Sequence, residues 1–363
     1  MPKAFICGCA GLVLDAEERA FLRREDPWGL ILFKRNVADR DQVRALTRSF
    51  RECVGRPNAP VLIDQEGGRV QRMAPPHWRA YPAAAAIEAG LEPSRAEAAA
   101  RLVARLIAFD LAEVGITVDC APVLDVAEPE THAAIGSRAF SSQPERVAAM
   151  GRAVAEGLFA GGVAPVVKHM PGHGRARADS HHELPVVDAA WDALKRDFAP
   201  FAALNDLPMA MSAHVLYTAI DKRHPATASS IVVAKVMRGE IGFDGLILSD
   251  DVSMKALKGP YEERAAAIID SGLDIVLHCN GELDQARAVA FAAPQLSGSS
   301  LRRAEAALAS ISGPQSRHSG CGMNCKTCVT RQTAQLRMAS RAHFARSTVP
   351  AGLRELRRRQ VRP

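Results

Sequence analysis

The chain has 363 residues, 48% of them apolar, enough to bury one large core or two modest ones. No run approaches the roughly 18 uninterrupted apolar residues that a membrane-spanning helix needs, and the opening Met1–Gly8 is too short an apolar stretch for a secretory signal, so a cytoplasmic protein without a membrane span is expected. The formal charge of +6 is concentrated at one end: residues 313–363 hold 11 Lys and Arg and one acid, leaving 35 basic and 39 acidic residues before them, a net of −4, which excludes a nucleic-acid role argued from the charge of the body.

Residues 1–312 alternate short apolar runs with longer amphipathic ones. Strands are predicted at Ala4–Gly8, Gly29–Phe33, Pro60–Asp64, Ile116–Cys120, Ala164–Lys168, Pro208–Ser212, Gly245–Ser249 and Asp274–His278. Their nearly continuous Val, Ile and Leu content suits parallel strands covered on both faces. Helical spacing falls between them, at Asp39–Val54 with Asp39 as N-cap, and at Ser94–Val114, Pro144–Ala160, Ala190–Leu204, Ser229–Ile241 and Glu262–Ser271. Gly115, Gly161, Gly242 and Gly272 stand just past helix ends. Eight strands with intervening helices predict an α/β chain folded as a (β/α)₈ TIM-type barrel, whose usual size is about 250 residues or more. A doubly wound sheet shares the alternation. The polar residues favour the barrel, because Asp64, Lys168-His169, His214 and Asp250 all sit at or just after strand C-termini, and in a barrel those ends meet at one mouth.

Three segments carry the chemistry. In Leu62-Ile63-Asp64-Gln65-Glu66-Gly67-Gly68-Arg69-Val70-Gln71-Arg72 a strand runs into a polar turn whose glycine pair permits a sharp bend and the close approach of a ligand. Asp64 offers acceptors for hydroxyl groups and Arg72 a planar donor fork; a solvated surface turn is the bland alternative. Lys168-His169-Met170-Pro171-Gly172-His173-Gly174-Arg175-Ala176-Arg177-Ala178-Asp179-Ser180-His181-His182 is a loop with four histidines. Asp179 is close enough in sequence to orient His181, which could then protonate a leaving group and later deprotonate water. His169, His173, Asp179 and His181 could instead ligate zinc as part of a metal-dependent hydrolase, although their spacing matches no recognised zinc pattern, or could simply lie on the surface. In Phe243-Asp244-Gly245-Leu246-Ile247-Leu248-Ser249-Asp250-Asp251-Val252-Ser253-Met254 a strand ends in two acids. Extended neighbours point to opposite sides, so one should face the mouth while the other caps the next element; periodicity alone does not choose between them.

With these segments in view, the chain resembles the β-N-acetylhexosaminidases of glycoside hydrolase family 3, of the single-domain bacterial kind that recycles peptidoglycan fragments. The resemblance covers roughly residues 4–311 and rests on Asp64-Gln65-Glu66-Gly67-Gly68-Arg69, Ala121-Pro122-Val123-Leu124-Asp125, Lys168-His169 through His181, and Ser249-Asp250-Asp251. It implies a retaining enzyme with Asp250 as nucleophile, His181 as acid/base paired with Asp179, and sugar binding by Asp64, Arg72, Arg138, Lys168 and His169. His214 is expected near the site without an assigned step. The implied partner is an N-acetylglucosaminyl muropeptide, handled by a monomer that needs no metal or organic cofactor. The acid/base must reach the substrate, so residues 170–182 are expected to move.

Five cysteines, Cys7, Cys9, Cys53, Cys120 and Cys279, are scattered through apolar segments as reduced core residues would be. The segment 313–363 falls outside the resemblance, and its Arg-, Ser- and Pro-rich composition marks it as a disordered basic tail that could contact nucleic acid or an anionic membrane. Cys321-x₃-Cys325-x₂-Cys328 has the spacing of an iron–sulfur motif but stands at the wrong end of the chain for one.

Overall fold

The structure is a computed structural model, and it describes residues 1–311. The basic segment 313–363, with its expected disorder and its Cys321, Cys325 and Cys328, lies outside the described residues.

Eight parallel staves form a barrel: β1 (Lys3–Cys7), β2 (Pro27–Leu32), β3 (Val61–Ile63), β4 (Val118–Asp119), β5 (Ala164–Pro165 continued as Val167–Met170), β6 (Met209–Ser212), β7 (Leu246–Asp251) and β8 (Ile275–His278). They pair in chain order, and β8 returns to β1 through Phe5 opposite Val276 and Cys7 opposite His278. The circle closes through β5 itself. Its first half pairs with β4 at Val118–Ala164 and its second half with β6 at Ala210–Val167, so both ends of the sheet belong to one run of chain.

Period-two alternation divides the side chains of these strands between two cores. Ala4, Ile6, Leu62, Val118, Val166, Met209, Met211, Leu246, Leu248, Ile275 and Leu277 form the cluster inside the barrel. Their neighbours Phe5, Cys7, Val61, Ile63, Val167, Ala210, Ile247 and Val276 pack outward with the helices. The helix Gly298–Ile311 sets Ala304 and Ala307 against the inner cluster beside Trp28 and Leu246 at strand starts, which covers the end of the barrel opposite the mouth.

The expected helices form with small shifts. Asp39 caps Arg40–Val54, accepting from the Gln42 amide at 2.9 Å, and Pro93–Glu113, Pro144–Ala160, Trp191–Ala203 and Tyr261–Asp270 follow the predicted order. Ser229–Ile241 is realised as a π-wound helix over Val232–Glu240. Gly115, Gly242 and Gly272 take the left-handed conformation expected after a helix, but beyond Ala160 it is Gly162, not Gly161, that does so. Among the described residues no helix is long and apolar enough to cross a membrane, and Cys7, Cys9, Cys53, Cys120 and Cys279 are buried free thiols.

Candidate active site

The mouth of the barrel is built by continuing the inward register one step past the apolar interior. Leu62 leads to Asp64, Val166 to Lys168, and Leu248 to Asp250. Lys168, almost wholly buried, reaches across the barrel to Asp64 at 2.7 Å and to Glu66 at 2.6 Å. Arg72 grips the other oxygen of Asp64 at 3.1 Å, and Arg138 binds Glu66 through two nitrogens at 2.8 and 2.7 Å. His169 lies beyond Arg138, with Nδ1 on Asp125 at 2.7 Å and Nε2 3.4 Å from the guanidinium. All five residues expected to bind sugar are therefore linked in one network.

Burial acts on these carboxyls against their cationic partners. It would raise Asp64, but Lys168 and Arg72 hold it well below the usual carboxylate range. Glu66 is likewise favoured in its neutral form by burial and brought down to about 2 by Lys168 and Arg138. Asp125 also ends at about 2, because His169 and His173 outweigh its desolvation. Burial pushes His173 down to about 4, so that ring is neutral.

The turn after β3 is pinned from beneath. Gln65, fully buried, accepts from the amides of Arg72 and Met73 at 2.9 and 3.0 Å and donates to the Met73 carbonyl. Gly67 and Gly68 do bend the chain, with φ of 94° and 59°. A ligand is not what approaches them: added Cβ atoms would meet the Pro82 carbonyl oxygen at 2.3 Å and the Ala83 Cβ at 2.6 Å. The glycine pair is required by packing of the chain on itself.

Of the two acids ending β7, Asp251 serves as a brace. Its Oδ1 accepts from the amides of Ser253 and Cys279, both at 3.0 Å, which ties the β7 loop to the end of β8. Asp250 is buried and turns inward, and among the described residues its Oδ1 accepts only from the Asp251 amide, at 2.8 Å. Burial raises its carboxyl, but His214, His169, the Asp251 amide and Lys168 together bring it below the ordinary value. His214 is fully buried, with Nε2 3.0 Å from the Asp251 carbonyl and Nδ1 without a hydrogen-bond partner among the described residues. Asp64, Glu66, Asp125 and Asp250 bring four carboxylates to the mouth beside Lys168, Arg72, Arg138, His169 and His214, and the Asp250 carboxylate favours a positive charge developing on a molecule bound next to it.

The loop after β5 has two unlike halves. Residues 170–174 and Ala176 are buried. Asp125 accepts from the His173 amide at 2.6 Å, the Tyr217 hydroxyl donates to the Gly172 carbonyl at 2.7 Å, and Arg175 bonds Asp197 at 2.6 Å. These buried residues belong to the core, so the motion expected across 170–182 is expected instead from residue 177 onward. There Asp179 accepts from both the amide and Nδ1 of His181, at 3.0 and 2.8 Å, while 63% of the His181 side chain is exposed. No hydrogen bond or ion pair joins His181 to Asp250 among the described residues. The loop's four suggested metal ligands are not gathered either. His169 and His173 pack on Asp125, Asp179 and His181 pair with each other, and no three His, Cys, Asp or Glu side chains converge in metal-holding geometry among the described residues.

Residues 10–307 match the model of the glycosyl hydrolase family 3 N-terminal domain. The chain belongs to this family. It is a glycoside hydrolase of the family 3 β-hexosaminidase type. A β-hexosaminidase of Alkalilimnicola ehrlichii is 41% identical over 280 residues, which are 75% of this chain and 79% of that protein. NagZ from Neisseria gonorrhoeae, solved in complex with N-trifluoroacetyl-D-glucosamine, superposes with a TM-score of 0.78 at 31% identity, covering 93% of this chain and 98% of that one. A family 3 β-N-acetylglucosaminidase from Paenibacillus sp. also reaches 0.78, at 29% identity over 89% of this chain; the match spans 63% of the Paenibacillus protein. In this family 3 barrel, reading the sequence overlooked Glu66 and Asp125 as side chains with a task. Both stand in motifs that follow strands, Glu66 two residues past Asp64 and Asp125 at the end of Ala121-Pro122-Val123-Leu124-Asp125, and that placement was their only signal.

Proposed function

We propose that the protein is a retaining exo-β-N-acetylglucosaminidase that releases N-acetylglucosamine from muropeptide fragments in cell-wall recycling. The observation that carries the reading is the division of labour at the end of β7: Asp250 faces inward with one oxygen uncommitted among the described residues, while both oxygens of Asp251 are engaged by its own loop. The names of similar proteins, a β-N-acetylglucosaminidase and an enzyme holding an N-acylglucosamine, point to the same sugar.

In this reading the hydroxyls of a terminal N-acetylglucosamine exchange into the network of Asp64, Arg72, Lys168, Arg138 and His169. Asp250 attacks the anomeric carbon as the glycosidic bond breaks, and the surrounding carboxylates stabilise the oxocarbenium-like charge. His181, oriented through Nδ1 by Asp179, donates a proton from Nε2 to the leaving oxygen. The same nitrogen later takes a proton from the water that cleaves the glycosyl-enzyme. Residues 177–183 carry His181 to the bond from its exposed position. We place this reaction in the cytoplasm, in a monomer.

The reading is tested by following the anomer first released from an N-acetylglucosaminyl-anhydromuramyl substrate by NMR. The β-anomer is expected. Initial release of the α-anomer, or no cleavage at all, overturns the proposal.

A further inference from the structure

The pairing of β3 with β4 ends at Ile63 opposite Asp119, an acid the chemistry described so far does not use. Val118 and Cys120 belong to the cluster inside the barrel, so Asp119 between them faces outward, and it is fully buried. Its Oδ1 accepts from the Gln65 amide at 3.0 Å. Gln65 stands between Asp64 and Glu66, the two carboxylates that share the Lys168 ammonium at 2.7 and 2.6 Å. The Gln65 side chain in turn holds the amides of Arg72 and Met73. Asp119 is therefore bonded to the one residue that links both acids to the turn behind them.

The other oxygen of Asp119 is idle. Oδ2 has no hydrogen-bond partner among the described residues. Asp119 lines a cavity of about 30 Å³ together with Glu66 and Arg138, and Ala104, Ile107 and Leu158 are among its apolar walls. An apolar side chain would be less costly to bury there. What the carboxyl supplies is an acceptor for Gln65. Burial pushes it up to about 7 against the Gln65 amide and Lys168, with Asp64 and Glu66 adding to the rise. Below that pH an asparagine would offer the same acceptor in the same neutral state.

We infer that Asp119 is a positioning residue for sugar binding: from outside the barrel wall, through the Gln65 amide, it sets where Asp64 and Glu66 meet the substrate. The inference rests on the proposed reading in which Asp64, Lys168 and Arg138 hold a terminal N-acetylglucosamine. The rival role is structural, a clasp between two strands and nothing more. Thr117 supplies the control for it. Its Oγ1 accepts from the Val61 amide at 3.2 Å, a bond of the same kind between the same stretches of chain, but placed at the strand starts, away from the mouth.

The test measures KM and kcat on a nitrophenyl N-acetylglucosaminide, and Ki for N-acetylglucosamine, near pH 6. Asp119→Leu fills the place without offering an acceptor. It should raise KM and Ki together by roughly threefold to tenfold, with kcat changed by less than about twofold, as loss of uniform binding does. Asp119→Ala should move both constants in the same direction, and Asp119→Asn should keep both near wild type. Thr117→Val should lower Tm and leave KM and Ki unchanged. The inference is overturned by an unchanged Ki in the Leu and Ala variants, by an Asn variant as impaired as they are, or by an equal rise in Thr117→Val. Asp64→Ala distinguishes this failure from failure of the reading beneath it. If Asp64→Ala raises Ki and the Asp119 variants do not, the inference alone falls; if Asp64→Ala leaves Ki unmoved, the assignment of Asp64 to the sugar falls with it.

Discussion

His214 donates its Nε2–H to the Asp251 carbonyl 3.0 Å away, and this bond holds a buried imidazole beside the Asp250 carboxylate. Burial works to keep Asp250 protonated, and His214 is the foremost group opposing it. Replacing His214 with Asn removes that opposition, so the Asp250 carboxyl should titrate at higher pH. Because the proposed nucleophile acts ionised, the acid limb of kcat/KM should move upward, with the basic limb unchanged. A parallel loss at every pH would show that His214 acts on packing alone.

The adjacent acids should separate cleanly. Asp250→Ala is expected to lower kcat by about 10⁴-fold or more at nearly wild-type Tm, as loss of a nucleophile does. Asp251→Ala leaves the amides of Ser253 and Cys279 without their acceptor and should cost about 1–3 kcal/mol of stability, with a smaller loss of activity. Thermal unfolding and turnover of a chromogenic glucosaminide read both. Equal catalytic losses would contradict the assignment of the two roles.

His181→Ala should reduce cleavage of a sugar leaving group by about 10²–10⁴-fold, and that of a nitrophenolate by much less, since an acidic leaving group needs little protonation. Asp179→Asn should follow the same pattern more weakly, because the carboxylate acts through the 2.8 Å bond to Nδ1. A loss independent of leaving-group pKa is the outcome that counts against proton donation.

Glu66 and Asp125 also link stability to pH. Each has a folded value of about 2, below the ordinary 4.5 and 3.8, so the folded protein holds fewer protons than the unfolded chain between those limits. The stabilisation is complete above about pH 4.5 and is lost as pH falls toward 2. Urea unfolding at pH 7, 5 and 3 should show little change in the first step and a marked drop in the second. Glu66→Ala strands Lys168 and Arg138 and should cost about 3–5 kcal/mol at pH 7, with a smaller penalty at pH 3.

Gly174 tests the anchored half of the His181 loop. An added Cβ would lie 1.8 Å from the Val126 carbonyl oxygen, a contact relieved only by moving backbone. Gly174→Ala should therefore lower both Tm and kcat, whereas Arg177→Ala, in the exposed half, should leave Tm unchanged. Normal kcat in Gly174→Ala would mean that His181 does not depend on this anchor.

Local pattern was sufficient for the barrel. Eight apolar runs, the helices between them and polar residues at strand ends are properties of short stretches of chain, and burial on both faces leaves a parallel strand few alternatives. The same continuity brought Asp64, Lys168 and Asp250 within reading, since each follows an inward-facing apolar residue by two positions. Contacts between distant segments decided the rest. Glu66 lies 72 positions from Arg138, and Asp125 lies 44 from His169, so nothing near either acid in the chain discloses its partner. The glycine pair at 67–68 and the anchored stretch 170–176 have one cause as well. Whether a bend admits a ligand or another loop, and whether a Gly-rich loop swings or is held, depends on what packs against it, and only closure of the barrel brings those surfaces together.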